Sequence, residues 1–312
     1  MPGWKPDAAL RPPDFAIVGA PKCGTTALFS YLAAHPVITM SRLKEPCFWS
    51  RDIDTVGRPD RATYDALWDG APPGALRGEA TPIYLQSLVA IPDLLDARPD
   101  IRLIAMIRNP VEMVASRHAN HIALYLDDVA DLETAWRLQE RRLRGEALPR
   151  RCPVPSLLQY RANAAIGDQL GRFLALVPAE QRIVIVYDDF RTDTRREYLR
   201  ALALLGLADD GRADFAPVNA RLTPRWTRLP DLQDWLRKRM ALPYRPVSAL
   251  AHAVGLHPFA LLNKANLRAA PSKPLRPAFE AELIVEFLPQ IEKVERLLGR
   301  DLTSWKTPRS AG

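Results

Sequence analysis

The sequence predicts an α/β protein with a P-loop-like three-layer fold, in which helices flank a central, mainly parallel sheet and a helical extension follows at the C-terminus. Three runs rich in Val, Ile and Leu carry this prediction; they lie at 15–20 (FAIVGA), 101–108 (IRLIAMIR) and 182–190 (RIVIVYDDF). A segment with helical character follows each run. Continuous apolar strands that alternate with helices are typical of a parallel sheet covered on both faces.

The ends of the three helices are marked by local signals. The first helix is predicted over TTALFSYLAAHP and stops at Pro36, which cannot continue a helix. The second begins after Asn109, a favourable N-cap, with Pro110 at the first helical position. The third runs from about Asp193 and ends at Gly206. Strand, glycine-containing loop and helix in this order indicate the start of a βαβ unit.

Two further segments have helical periodicity. One lies at 156–177, and the other is an amphipathic helix within 276–305 that is predicted to be interrupted near Pro289. The chain has 312 residues, which allows one large α/β domain or two small ones. The predicted organisation is an N-terminal arm at 1–13, one domain at 14–306 and a tail at 307–312.

The composition indicates a folded chain, because 47% of residues are apolar and 25% are charged. The formal net charge of +7 allows a polyanionic partner or a solvated, Arg-rich surface. The densest basic patch, at 137–151, is predicted to be an exposed helix face followed by a loop. No aromatic residue interleaves it after Trp136, so nucleic-acid binding by base stacking is not predicted.

Cysteines and apolar runs indicate the compartment. The three cysteines, Cys23, Cys47 and Cys152, have neither the number nor the spacing of a disulfide framework or a zinc site, which fits a reducing compartment. The first residues lack the apolar core of a secretory signal, and no run of 18 apolar residues predicts a membrane span. We therefore expect a cytoplasmic protein without a bound metal ion.

The loop GAPKCGTT at 19–26 has the physical features of an anion site. Its lysine, Lys22, precedes the second glycine, whereas a Walker loop has lysine after it, so ATP chemistry is disfavoured. Gly24 allows close approach of a phosphate, and the N–H groups that begin the next helix carry the positive end of its dipole. The alternative is a plain strand-to-helix turn that a threonine caps.

Several ordered motifs resemble those of the sulfotransferases that use 3′-phosphoadenosine 5′-phosphosulfate (PAPS). PKCGTTALFSYLAAHP resembles the family's 5′-phosphosulfate loop, and IRLIAMIRNPVEMVASRH resembles its 3′-phosphate motif. KEPCFW at 44–49, GEATPIYLQS at 78–87 and the terminal LLGRDLTSW are similar to the bacterial and heparan-sulfate-type branch. The resemblance covers residues 14 to 305 and implies a metal-free transfer of a sulfonate group to a hydroxyl or, as second choice, an amine.

The resemblance also implies which residues bind the donor. The 5′-phosphosulfate would be held by the loop residues Lys22, Cys23, Gly24, Thr25, Thr26 and Ala27. Lys22 would in addition stabilise the charge that grows on the leaving phosphate. Arg108 and Ser116 would bind the 3′-phosphate, because arginine suits a bidentate phosphate contact. The alternative for Arg108 is an ion pair at a strand end.

Glu45 is the expected general base, since a glutamate in this segment of the family takes the proton of the acceptor hydroxyl. A carboxylate suits that role where burial raises its pKa. The alternative for Glu45 is an exposed ion pair with Lys44. Lys44 could instead help to hold the sulfonate or the acceptor. Cys47 stands where related sequences often have His, and Ala80 where heparan-sulfate enzymes have Lys. The second difference argues against a large sulfated glycan as acceptor.

The remaining acceptor-side predictions are less specific. Thr81 and Tyr84 are expected to line the cleft, and His118 with His121 would face either the cleft or solvent, three residues apart on one helix. Three arginines are equal candidates to close over the nucleotide: Arg221, Arg225 and Arg268. A small molecule, a lipid or a carbohydrate would each suit as acceptor. Two other functions are weighed against a sulfotransferase, namely an atypical P-loop kinase and a non-catalytic protein that binds anionic glycans.

Overall fold

A computed structural model describes most of the chain, namely residues 10–55, 57–152, 154–216, 222–224, 226, 235, 266–269 and 274–308. The chain divides into two compact units. The first comprises Met1–Arg117, Val154–Asn219 and Pro274–Gly312, and the second comprises His118–Pro153 and Ala220–Lys273. The single domain predicted for 14–306 and the tail at 307–312 stay predictions. In the arm, residues 10–13 have no regular secondary structure, yet Leu10 is buried.

The first unit contains a sheet of five strands. They are β1 (Phe15–Gly19), β2 (Ile38–Met40), β3 (Leu76–Ala80), β4 (Arg102–Ile107) and β5 (Arg182–Val186), in the spatial order β2-β3-β1-β4-β5. Every pairing in this sheet is parallel, which confirms the predicted parallel α/β fold. All five residues of β1 are buried, as a central strand under helices on both faces requires.

Among the described residues, the α-helices of the first unit are, in chain order, α1 (Thr25–Ala33), α2 (Arg61–Asp65), α3 (Ala90–Ala97), α4 (Pro110–Ala123), α7 (Tyr160–Asn163), α8 (Ile166–Leu176), α9 (Tyr187–Thr192), α10 (Thr194–Leu204), α11 (Pro277–Leu298) and α12 (Thr303–Lys306). Helix α4 continues into the second unit, where α5 (Leu132–Arg137) and α6 (Gln139–Leu143) follow it. The predicted cap at Asn109 is confirmed, because Asn109 Oδ1 accepts a hydrogen bond from the Val111 N–H at 2.9 Å. The third helix begins after Asp193, near its predicted start, and Asp193 Oδ1 accepts a hydrogen bond from the Arg196 N–H at 3.0 Å.

Two predicted elements have the wrong boundaries. The strand predicted at 182–190 ends at Val186, and the chain turns directly into α9. The helix predicted at 156–177 is divided into a 3₁₀ turn at Pro155–Leu158, α7 and α8. The side-chain amide of Asn163 donates to the Leu157 carbonyl at 3.0 Å, so a side chain replaces the helical hydrogen bond there.

The predicted interruption at Pro289 is also absent, because α11 runs without a break from Pro277 to Leu298. Proline removes one hydrogen bond from a helix, namely that to the carbonyl four residues earlier. Here that residue is Val285, which is 72% exposed, and Pro289 is exposed too. Water can therefore satisfy the carbonyl on the outer side of the helix.

The second unit, as far as it is described, contains α5, α6 and an antiparallel pair of short strands, β6 (Leu222–Pro224) and β7 (Leu267–Ala269). The basic patch at 137–151 is only partly exposed. Arg142 is fully buried and forms two hydrogen bonds to Asp127, at 2.8 and 2.7 Å, which corrects its predicted place on a solvated face. The exposed Arg141 and Arg144 instead share Glu146.

We predict that Arg142→Met and Asp127→Leu each destabilise the protein by about 3–5 kcal/mol, because each removes the oppositely charged partner of a buried charge. The double variant should recover most of that loss, since apolar side chains of similar size then fill the site. Urea denaturation of the three variants measures these differences. As a matched control, Arg195→Met breaks a pair whose side chains are 42% and 44% exposed and should leave the unfolding midpoint almost unchanged. A double variant as unstable as the single ones would contradict this explanation.

Candidate functional site

The loop between β1 and α1 combines backbone geometry suited to an anion with tight packing. Lys22 has a φ of 66° and Gly24 has a φ of 89°, so both lie in the left-handed region. A Cβ atom on Gly24 would lie 3.2 Å from the ring of Tyr187, so a larger residue would be strained in its backbone and would crowd that ring. Helix α1 begins directly after Gly24, and its first N–H groups have no acceptor within the helix.

Cations converge on this loop. Burial lowers the pKa of Lys22; Glu45 raises it, and the positive charges of Arg117, Arg108 and Lys44 lower it further. Lys22 therefore interacts electrostatically with three other cationic side chains and with one carboxylate. Such an excess of positive charge in a partly buried place favours the binding of an anion.

Arg108 follows β4 and is held from three sides. Its Nε and Nη2 donate to Glu112 Oε2 at 2.8 and 2.5 Å, and its Nη1 donates to the Lys22 carbonyl at 3.2 Å. The guanidinium also lies 4.3 Å from the centroid of the Tyr187 ring. The structure thus contains the predicted ion pair at the strand end, and it also brings Arg108 to the loop that carries Lys22.

Ser116 and Arg117 lie on α4, two turns beyond Arg108. Ser116 is half-buried, and Arg117 was missed by the sequence reasoning. Within the residues that the structure describes, the buried Nε of Arg117 has no hydrogen-bond partner. Burial lowers the pKa of Arg117, whereas the interactions with Tyr160 and Glu45 raise it. The only signal in the sequence was a basic residue directly after Ser116.

Glu45 lies in the connection after β2, and its side chain is more exposed than the buried general base that was predicted. Its carboxylate is 52% exposed and forms an ion pair with Lys44, which was the alternative expectation. Its backbone has a φ of 63°, and its N–H donates to the Ala80 carbonyl at 2.9 Å. The carboxylate also interacts electrostatically with Lys22 and Arg117, so it belongs to the same group of charges.

A buried polar network supports this connection. Trp49 Nε1 donates to the Tyr64 hydroxyl at 2.7 Å, and that hydroxyl donates to Glu79 Oε2 at 2.7 Å. Tyr84, predicted to line the cleft, is fully buried, and its hydroxyl accepts from the Trp49 N–H at 3.3 Å. Thr81, another predicted cleft residue, is fully buried as well.

The two cysteines of the site are packing residues. Burial raises the pKa of the Cys23 thiol to about 12 and that of the Cys47 thiol to about 12. Both thiols therefore stay protonated near neutral pH, and Cys47 Sγ donates weakly to the Glu45 carbonyl at 3.3 Å. A contribution of Cys23 to ligand binding would come from its backbone. Among the described residues no two cysteines form a disulfide bond.

Both histidines of α4 are buried, which contradicts the expectation of a solvated face. His118 is 5% exposed, and its Nε2 lies 2.8 Å from the Val129 carbonyl oxygen. His121 is 3% exposed. Both belong to the second unit. Arg221 and Arg225 lie outside the described residues, as does the side chain of Arg268.

Within the described ranges, no three His, Cys, Asp or Glu side chains are grouped so that they could hold a metal ion. Over the same ranges, no helix is long and apolar enough to span a membrane.

Comparison with known proteins finds sulfotransferases. No protein-family model matches the chain. Over 39 residues it is 51% identical to carbohydrate sulfotransferase 15 of Homo sapiens, a match that covers 12% of this chain and 7% of that protein. Over 113 residues it is 33% identical to heparan sulfate glucosamine 3-O-sulfotransferase 6 of Mus musculus, which covers 36% of this chain and 32% of that protein. The chain thus matches only a small part of the length of these relatives.

The solved structure of a sulfotransferase from Alicyclobacillus acidocaldarius is similar over almost the whole chain. The alignment covers 95% of this chain and 100% of the other, with a TM-score of 0.67 and 25% sequence identity.

We predict that Glu79 makes the stability of the fold depend on pH. Burial raises the pKa of Glu79 to about 7, although hydrogen bonds from Tyr64 and Tyr84 act against this. Between the ordinary value of 4.5 and about 7 the folded state therefore holds more protons than the unfolded state. The free energy of unfolding should fall as pH rises through this window, by on the order of 3 kcal/mol, and then level off.

Urea denaturation at a series of pH values measures this dependence. Glu79→Gln should remove the decrease, because the amide does not titrate. The control Glu292→Gln changes an exposed glutamate on α11 and should keep the decrease. If Glu79→Gln shows the same pH dependence as the wild type, another group is responsible.

Proposed function

We propose a function for this chain on the premise that it belongs to the sulfotransferase family, as its sequence and fold similarities confirm. The proposed reaction moves the sulfonate group of PAPS to an acceptor hydroxyl, or less favourably an amine, and leaves adenosine 3′,5′-bisphosphate (PAP). One observation carries the proposal: Arg108 Nη1 donates to the Lys22 carbonyl at 3.2 Å. Cations from two neighbouring strand ends thus lie together, which suits a donor with two separate anionic groups.

The loop between β1 and α1 is assigned to the phosphosulfate end of the donor. Gly24 allows the ligand to approach the backbone, and the N–H groups of Thr25, Thr26 and Ala27 begin a helix whose positive end faces that side. Lys22 would stabilise the negative charge on the bridging oxygen as its bond to sulfur breaks. Partial burial strengthens this interaction, because less water screens it.

Arg108 and Ser116 are assigned to the 3′-phosphate. Arginine can bind a phosphate through two parallel hydrogen bonds, and Glu112 and Tyr187 already hold the guanidinium in place. A phosphate bound there competes with Glu112 for the N–H groups of Arg108. Ser116 lies eight residues further along the chain and would add a hydroxyl donor from α4.

Glu45 is assigned as the general base. The acceptor oxygen forms a new bond to sulfur, and the bond between sulfur and the bridging oxygen breaks with its electron pair left on PAP. The proton of the acceptor passes to Glu45. Lys44 is assigned to the sulfonate or the acceptor, since it already pairs with Glu45. Thr81 and Tyr84 are assigned a supporting role because both are fully buried.

Arg117 is assigned to bind the sulfonate group while it is transferred from PAPS to the acceptor. It interacts electrostatically with both Lys22 and Glu45, the groups proposed on the two sides of the reaction. Its buried Nε lacks a hydrogen-bond partner within the described chain, so a bound oxygen atom would satisfy it.

The acceptor class stays open between a small molecule, a lipid and a carbohydrate. Ala80 in place of lysine argues against a large sulfated glycan. A cytoplasmic location is proposed from the three cysteines, whose number and spacing suit a reducing compartment.

We predict that PAP binds without Mg²⁺ and at least about 100-fold more tightly than ATP, since the loop lacks the Walker lysine. Lys22→Met and Arg108→Met should each weaken PAP binding by about 10–100-fold, the usual contribution of a hydrogen bond to a charged group. Isothermal titration calorimetry measures both, with Arg195→Met as a surface control. Equal affinity for PAP and ATP would favour the kinase alternative. Glycan binding that survives both substitutions would favour the binding-protein alternative.

We predict that Glu45→Gln lowers turnover by about 10²–10⁴-fold, the usual contribution of a general base, with PAP affinity unchanged. The acceptor is first identified by incubation of the enzyme with labelled PAPS and a metabolite extract, followed by mass spectrometry for a sulfonate gain. Lys44→Met serves as a comparison, because it removes the partner of Glu45 but not the base. Full turnover by Glu45→Gln would exclude Glu45 as the base.

We predict that Arg117→Met weakens PAPS binding by about 10-fold and leaves PAP binding within two-fold of the wild type, because PAP lacks the sulfonate. Calorimetry with each nucleotide, without acceptor, makes the comparison. Equal weakening of both nucleotides would assign Arg117 to a phosphate instead. No change for either would remove it from the donor site.

A further inference from the structure

The connection that carries Glu45 is anchored by aromatic residues around a buried carboxyl group. We call the residues Trp49, Tyr64 and Glu79 the buried relay: two hydrogen bonds of 2.7 Å join them in that order. All three side chains are inaccessible to solvent. Trp49 lies only four residues after Glu45, so the relay holds the far end of the same short segment.

The direction of the relay explains why position 79 is polar. The indole N–H of Trp49 can only donate, so the Tyr64 hydroxyl accepts there and must donate its own proton elsewhere. Glu79 supplies the acceptor. An apolar residue at 79 would leave the hydroxyl proton of Tyr64 buried without an acceptor, which destabilises the folded state.

Packing reinforces these bonds. The ring of Phe48 stacks on Tyr64, with centroids 4.1 Å apart and planes 13° apart. Trp49 and Trp68 contact the same tyrosine edge-on, at 6.0 and 5.3 Å. Tyr64 is therefore the centre of an aromatic cluster that fixes the position of Trp49.

The near end of the segment is fixed at the same strand. The Glu45 N–H donates to the carbonyl of Ala80, the residue next to Glu79. The backbone at Glu45 and Cys47 has φ values of 63° and 56°, a conformation that non-glycine residues adopt only with support from their surroundings. Arg58 adds support by donating to the Cys47 carbonyl at 3.0 Å.

We propose that Glu79 is a positioning residue: through Tyr64 and Trp49 it holds the segment 45–49 in the strained conformation that directs the Glu45 carboxylate to the cluster of cations. The proposal rests on the role assigned to Glu45. Glu79 itself does not touch the reacting groups, because the protein covers it completely.

The relay contains one group that titrates near neutral pH. The Glu79 carboxyl interacts with Tyr64, Tyr84 and Cys47. Burial raises the pKa of both tyrosines well above the ordinary value, and the pKa of Cys47 lies at about 12. All three stay neutral, so a change in the relay between pH 5 and 8 reports on Glu79.

The test uses the full chain and needs no acceptor. Amide hydrogen exchange, read by mass spectrometry, follows the peptide that contains Glu45, and calorimetry with PAP reports on the donor site. Tyr64→Phe should speed exchange in that peptide by at least about 10-fold and leave PAP affinity within two-fold of the wild type. Tyr198→Phe is the matched control, since it also removes a buried hydroxyl bound to a carboxylate, Asp210 at 2.9 Å. It should leave the Glu45 peptide unchanged.

Conservative and disruptive changes at position 79 separate positioning from general stability. Glu79→Gln keeps an acceptor and should keep the protection of the Glu45 peptide, whereas Glu79→Leu should lose it. With 5-fluorotryptophan labelling, the ¹⁹F resonance of Trp49, assigned through Trp49→Phe, should titrate near pH 7 in the wild type. It should not titrate in Glu79→Gln.

An unchanged exchange rate of the Glu45 peptide in Tyr64→Phe would overturn the proposal. So would a ¹⁹F chemical shift of Trp49 that changes neither with pH nor in Glu79→Gln. These readouts do not depend on Glu79→Leu, which is prone to misfolding. A wild-type protein that fails to bind PAP would overturn the proposed function instead, while the exchange data would still decide whether Glu79 holds the segment.

Discussion

The hydrogen bond from the Arg108 guanidinium to the Lys22 carbonyl is the contact on which the site depends. It joins the residues that follow two adjacent parallel strands, β4 and β1. In a parallel sheet all carboxyl ends meet at one edge, and ligands of such sheets bind there. The connection that carries Glu45 follows β2 at that same edge. The sheet order therefore collects a loop, a guanidinium and a carboxylate that are far apart in the chain.

Assembling these charges has a cost. Lys22 lies among other cations and is partly buried, and both conditions disfavour its protonated form. An anion that binds there removes part of the repulsion, so the site is more stable when it is occupied. The carboxyl group of Glu79 is a second buried polar feature that an apolar core would not need. Its position beneath the segment of Glu45 gives it a function beyond packing.

The parts of the fold that the sequence predicted are those with local causes. Three of the five parallel strands, β1, β4 and β5, follow from continuous apolar runs, and the cap at Asn109 follows from a side chain that reaches its own helix. The prediction of one helix at 156–177 was wrong because the side-chain amide of Asn163 donates to backbone carbonyls that a continuous helix would pair with its own N–H groups. The order of strand, loop and helix around Lys22 was also predicted, since the apolar run and the start of the helix are local features.

The sequence by itself determined the alternation of strands and helices, the loop at the first turn and the resemblance to sulfotransferases. Only the tertiary structure decided which charged and polar groups are buried. Arg142 and Glu79 are fully buried, whereas Glu45, the expected buried base, is 52% exposed. The physical reason is that burial depends on what other segments cover a side chain. Arg117, for example, meets Lys22 and Glu45 only because the sheet brings three distant stretches of chain together.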